Sequence, residues 1–350
     1  MTSKKMYGRG YTKNGLQKAA SFLEKECKKN NALPIFNNCY CQSFKHPVIK
    51  FKGSTKVILN NKRLVPGQDY IIDPHSPSIK GSFTLEKIDS VSFLDIETKK
   101  SVLVQPVNKL TFSVGTKLNK YAGIKILKSS IEGEPRTISL HIQTELDSIF
   151  ESLNIGCKIE GAIKDSFIVY TAHYDHLGSM GKNVFFPGAN DNASGTSMLL
   201  NIMKHYAKIK PKYSIVFVFF AAEEAGLLGS KFFVENSPID LTKIKFLINL
   251  DLMGTGDDGV MVVNGAIFNE QFNRIELINK ERQYLAAIKK RGKAMNSDHY
   301  WFTEKGVPSF FLYTLGGIKA YHDIYDIEKT LPLTKYKEVF HLLVDFTNSF

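Results

Sequence analysis

The stretch FIVYTAHYDHLG, residues 167–178, decides how the rest of the chain is read. Phe167, Ile168, Val169 and Tyr170 form an apolar run of strand length. Its β-branched and aromatic content suits a strand buried on both faces. The run leads into His173-Tyr174-Asp175-His176. Residues at the carboxyl end of a central strand in an α/β sheet face the crevice where ligands bind. A histidine followed two positions later by an aspartate suits an imidazole on a metal, with a carboxylate fixing its tautomer.

Working outward, two further strand-like runs also end in acid. The run 213–222 leads into Glu223-Glu224, and Ile244–Leu250 leads into Asp251. Between the first two strands, PGANDNASG places Asp191 at the mouth of a helical pattern over 192–209. Met198, Leu199, Ile202, Met203 and Tyr206 give that helix its apolar stripe. An N-cap role for Asp191 is compatible with a ligand role. Carboxylates at three neighbouring junctions can converge on one crevice. So much buried negative charge needs a counter-charge, and divalent cations are the simplest one.

The remaining segments alternate in kind. Residues 13–29 read as an amphipathic packing helix through Leu16, Ala19, Ala20, Leu23 and Cys27. From about Phe44, short runs such as VIKFK and TKVIL are split by Asn60-Asn61, Pro66-Gly67 and Asp73-Pro74, the chemistry of hairpins and turns. This predicts a small β-rich inserted domain over 46–135, with 1–45 and 136–350 forming the catalytic domain. Strands are expected over 137–144, 153–159, 260–263 and 309–315. Helices are expected over 226–236, 268–280 and from about Thr334. Alternating strands and helices imply an α/β fold of three layers, α/β/α, around a mostly parallel, mixed central sheet.

Composition narrows the function. The chain has 350 residues and a formal net charge of +12. Its lysines are dispersed and no basic-aromatic module occurs, so no nucleic-acid partner is expected. The four cysteines, Cys27, Cys39, Cys41 and Cys157, form no CxxC pair, which argues against a structural zinc site of that kind. Cys39 and Cys41 are too close for easy pairing; a bridge from Cys27 to either stays open. The N-terminal residues lack the apolar core of a signal peptide. No apolar run approaches the roughly 20 residues of a membrane span.

HYDHLG, GANDNASG, AEEAGLLGS, NLDLMG, SDHYWF and YHDIYD together resemble, in order, the signature segments of the two-zinc aminopeptidase and glutamate-carboxypeptidase family of metallopeptidases. They cover residues 167 to about 330. GRGYTKNGLQKAASFLEKE is similar to the family's N-terminal helix. The resemblance implies the phosphorylase/hydrolase-like zinc peptidase fold, a peptide substrate, two Zn2+ per chain and exopeptidase activity, most simply that of an aminopeptidase. By the same resemblance His173 and Asp251 hold one zinc, Glu224 and His322 the other, and Asp191 bridges them. Two zinc ions then balance three carboxylates and one hydroxide. Glu223, left off the metals, is the general base, and Asp175 orients His173. Tyr321, just before the last ligand, takes the oxyanion role, because Ala294 stands where other members carry that tyrosine. Asp298 supports the site, His299 and Trp301 pack, His176 is not a ligand, and Asp326 buttresses His322.

The inserted domain occupies the position of a protease-associated domain, which walls the substrate cleft in the family. Family habit also implies a secreted or periplasmic protein. Three other readings share the fold: a glutaminyl cyclase-type acyltransferase, a carboxypeptidase, and a non-enzymatic receptor or scaffold. The DNASG and AEEAGLLGS segments speak against the first, and the complete ligand set against the last.

Overall fold

In the computed structural model, which describes residues 1–90, 92–95 and 101–350, the central apolar run lengthens at both ends into the strand Ile163–His173. The principal strands are β1 (Cys41–Leu59), β2 (Thr137–Ile159), β3 (Ile163–His173), β4 (Tyr213–Phe220), β5 (Ile244–Leu250), β6 (Val260–Val263), β7 (Ile288–Lys290) and β8 (Ser309–Thr314). The helices are α1 (Gly15–Lys29), α2 (Gly195–Tyr206), α3 (Leu228–Glu235), α4 (Asn269–Arg282), α5 (His299–Glu304) and α6 (Tyr336–Asn348). The central sheet runs β7-β6-β8-β5-β3-β4-β2. β3 is parallel to both β4 and β5, and β5 to β8; β6 against β8 and β4 against β2 are antiparallel. The expected three-layer, mostly parallel mixed sheet is the fold observed.

Strand alternation makes the layers. Ile168, Tyr170, Ile215, Phe217 and Phe246 face a core shared with α1, α2, α4 and α6. Their neighbours Val169, Val216, Val218 and Leu247 face α3 and α5 through Phe233 and Phe302. A strand with both faces covered must be apolar at every position, which is why β3 to β5 read as unbroken runs.

Residues 137–159 form one continuous strand where two were expected. The stretch around Glu145 and Asp147 is largely exposed, yet apart from a bulge at 148–149 its backbone stays paired: Ile49 lies opposite Leu146 and Val48 opposite Asp147. A strand needs a partner for its backbone more than an apolar side-chain pattern. β1 in turn passes the expected boundary at 45/46 without interruption. The strands Tyr70–Ile72, Ile79–Lys87, Phe93–Asp95, Val102–Val107 and Ala122–Leu127 extend the same sheet. They enclose a second core that also takes in Leu177, Met180, Val184 and Phe186 from the segment after β3.

Helix starts also differ from the pattern. α2 begins only at Gly195, because Asp191 is extended (φ −105°, ψ 101°) inside a wide turn over Ala189–Ser194. Cys27 lies against Cys157 rather than near Cys39 or Cys41, with sulfurs 2.7 Å apart and both buried. Cys39 and Cys41 are neighbours at 2.9 Å. Among the described residues no helix is long and apolar enough to cross a membrane.

Candidate metal centre

Parallel strands deliver their carboxyl ends to one edge, and the acidic residues lie there. His173 is the last residue of β3, opposite Phe220 of β4, so Glu223 and Glu224 follow just past that edge. Asp251 follows β5, Asp191 sits in the turn ahead of α2, and His322 lies in the loop after β8. Three of these turns contain a non-glycine residue in the left-handed region: Ala222 (φ 57°), Leu252 (φ 56°) and His322 itself (φ 54°). Such conformations cost energy and persist only where the surroundings impose them.

The structure brings all five expected ligands together. His173 Nε2 stands 3.3 Å from Asp191 Oδ1 and 3.4 Å from Asp251 Oδ2. His322 Nε2 stands 3.0 Å from Asp191 Oδ2 and 3.3 Å from Glu224 Oε2. Asp191 thus offers one oxygen to each of two histidine–carboxylate groups. Atoms on a tetrahedron with zinc bonds of about 2.0–2.1 Å stand roughly 3.3–3.4 Å apart, so both groups suit that ion. Asp251 Oδ1 is buried with no hydrogen-bond partner among the described residues. An unpaired buried carboxylate oxygen is costly, and a cation satisfies it.

The electrostatics have the same cause. Burial disfavours the Asp191 anion, but His173 and His322 outweigh it and hold its carboxyl well below the usual range. Burial also opposes protonation of His173, yet Asp251 and Glu223 push that imidazole well above its ordinary value. Glu223 is the reverse case. Burial first, then Glu224, Asp298 and Asp251, lift it well above the carboxylate range, against the pull of His173. A carboxylate with raised basicity beside candidate metal ligands suits proton transfer near neutral pH. Asp298 is raised to about 7, chiefly by burial.

Asp175 lies behind this edge. Its Oδ1 is 3.7 Å from His173 Nδ1. Its hydrogen bonds come from the Glu223 and Glu224 amides, at 3.2 and 3.3 Å, and from the Tyr11 hydroxyl at 3.0 Å. The carboxylate therefore fixes the turn that presents both glutamates as well as facing the histidine. Asp326 does not hold His322; it accepts the amides of Asn190 and Asp191 at 2.8 and 3.0 Å. An aspartate takes the nearest free backbone amides, and those belong to the Asp191 turn. His299 is buried against Phe311, and burial lowers it to about 3, as befits a packing residue.

Several contributors were not legible in the sequence. His176, read as no ligand, places Nδ1 2.7 Å from Glu224 Oε1. Arg9 is fully buried and donates to the carbonyls of Tyr174, Pro187, Gly188 and Asp191 at 2.7–3.0 Å. It thereby ties the segment after His173 to the Asp191 turn. His322 Nδ1 donates to the Phe112 carbonyl at 3.1 Å. None of these partners has a spacing signal.

The centre floors a cleft of about 300 Å³. Tyr321 stands at its mouth, 43% exposed, its ring stacked on His322 at 4.0 Å. Partial burial, then the carboxylates of Asp191 and Glu224, hold its phenol above the ordinary value, so it remains a hydrogen-bond donor.

Comparison with known proteins adds to this geometry. The family model of Peptidase family M28 matches residues 154–347. Aminopeptidase YwaD of Bacillus subtilis is 43% identical over 103 residues, which is 29% of this chain and 21% of that protein. A probable zinc metalloprotease of Pyrenophora teres f. teres is 28% identical over 192 residues, 49% of this chain and 39% of that protein. The matched stretches thus span well under half the length of these relatives. The structure of BSAP, a zinc aminopeptidase from Bacillus subtilis, superposes with a TM-score of 0.74 at 18% identity, covering 99% of this chain and 92% of that one.

Proposed function

Because the chain belongs to peptidase family M28, we propose that it is a zinc-dependent exopeptidase, and specifically an aminopeptidase, working with two zinc ions. The observation that carries this reading is Asp191, whose two oxygens each face a different histidine. His173, Asp191 and Asp251 would hold one ion; Asp191, Glu224 and His322 would hold the other.

Bound zinc would polarise the scissile carbonyl and acidify the attacking water. The chain's own residues do the rest. Glu223, half-buried among other acids and with no side-chain hydrogen bond among the described residues, takes the proton of the attacking water and passes it to the leaving amine. Tyr321 donates its hydroxyl to the oxygen on which charge develops. Asp175 keeps the two glutamates in register through their amides. His176 directs Glu224 by occupying Oε1, which leaves Oε2 toward His322.

The test is a panel of fluorogenic aminoacyl substrates offered to the zinc-loaded chain. Hydrolysis should stop with a chelator and return with zinc, at an occupancy of about two ions per chain. A chain fully loaded with zinc that cleaves no aminoacyl bond would sink the reading.

A further inference from the structure

Among the groups lining the cleft that bond cleavage does not use, one carries a positive charge. Arg291 lines the same cavity as His173, Glu223 and His322. It follows the edge strand β7 directly, and its backbone is tied on both sides: its amide donates to the Val262 carbonyl at 2.9 Å and its carbonyl accepts the Ala266 amide at 3.1 Å. Its Nη1 donates to the Tyr313 hydroxyl at 3.1 Å. Among the described residues no carboxylate lies within ion-pair distance of its guanidinium. The neighbouring Lys293, by contrast, is paired with Glu304. The other charged groups lining the cleft are the acids and histidines of the candidate centre.

Building on the peptidase reading, we propose that Arg291 determines specificity by binding a carboxylate of the substrate. With the two zinc ions balanced by Asp191, Glu224, Asp251 and a hydroxide, Glu223 is the one acid of the cleft floor left without a counter-charge, and a substrate carboxylate drawn out of water beside it needs a facing cation. Arginine suits the task because its planar fork grips a carboxylate with two parallel hydrogen bonds. Tyr313 occupies only one of its donors, so a pair of donors stays free for the substrate. Tyr313 and the tied backbone also hold the guanidinium in place, which lowers the entropy cost of binding. The carboxylate has two possible sources: the side chain of an N-terminal aspartate or glutamate, or the free C-terminus of a short peptide.

Four substrates separate these sources: glutamyl-p-nitroanilide, leucyl-p-nitroanilide, Leu-Gly and Leu-Gly amide. Each is assayed with the zinc-loaded wild type and with Arg291→Gln. Recognition of a side chain predicts a KM for glutamyl-p-nitroanilide raised about tenfold or more by the substitution, with the leucyl compound within about twofold. Recognition of the C-terminus predicts that same rise for Leu-Gly and not for its amide. Arg291→Lys should recover part of the loss, since it restores the charge without the fork. Equal effects on all four substrates, or none, overturn the proposal while leaving the peptidase intact. A wild type inactive on every substrate overturns the peptidase reading, and this inference with it.

Discussion

Phe112 and His322 hold each other through one backbone hydrogen bond and one from the His322 imidazole. The Phe112 amide donates to the His322 carbonyl at 2.9 Å, and His322 Nδ1 donates to the Phe112 carbonyl at 3.1 Å. A residue of the β-rich segment therefore sets both the backbone and the tautomer of a candidate zinc ligand. The left-handed conformation of His322 is imposed partly by this pair.

Phe112 is itself held by its ring, which stacks on Phe186 at 4.5 Å and 5°. Phe112→Ala should destabilise the chain by about 3–5 kcal/mol, as for other buried phenylalanines. It should also lower zinc affinity at the His322 side. Urea melts together with zinc content at fixed free zinc check both. Full zinc retention in the folded variant would show that the pair does not govern the ligand.

Glu223→Gln keeps the shape of the side chain and removes its basicity. The variant should bind zinc as the wild type does and lose about 10²–10⁴-fold in kcat. Glu224→Gln, altered at a candidate ligand, should instead lose zinc. Metal analysis beside turnover separates the two, and an active Glu223→Gln enzyme excludes the general-base role.

Arg9→Met strips donors from four buried carbonyls. Each unsatisfied buried group costs about 1–3 kcal/mol, so a total loss of roughly 3 kcal/mol or more is expected. Arg9→Lys, with fewer donors and no fork, should recover little. The denaturation midpoint is the readout; an unshifted midpoint contradicts the tie between the two turns.

Metal binding should depend on pH through His322. Burial opposes its protonation, but Glu224 and Asp191 prevail and raise it to about 9 in the metal-free protein. Its folded value thus exceeds the ordinary 6.5. Protonation of His322 stabilises the metal-free fold fully below about pH 6.5, and that contribution disappears as the pH climbs through about 9. Zinc must displace this proton, so affinity should rise across the same window and binding at pH 7.5 should release protons. Calorimetry in two buffers of different ionisation heat measures the release. Heats independent of the buffer would refute the coupling.

Much of this architecture was legible before any fold was known. β3, β4 and β5 are apolar at nearly every position because both of their faces are covered, and each is followed by its acid. His173, Asp191, Glu223, Glu224, Asp251 and His322 could therefore be named from local pattern and resemblance, and the structure collects them at one edge. Pattern failed where the chain broke its own period for a reason lying elsewhere. The strand 137–159 stays continuous across polar residues because β1 is beside it. α2 starts late because Asp191 must turn toward the crevice.

What the sequence determined by itself is the order of strands and helices and the chemical character of the crevice, because hydrophobic period and residue type are properties of neighbours along the chain. Tertiary structure alone decided which groups hold that crevice in place. Arg9 reaches carbonyls 165–182 positions away, and Phe112 meets His322 across 210. Their partners are peptide oxygens, which every residue carries, so no amino-acid pattern can announce them. Arg291 likewise became a cleft residue only when β7 joined the edge of the sheet.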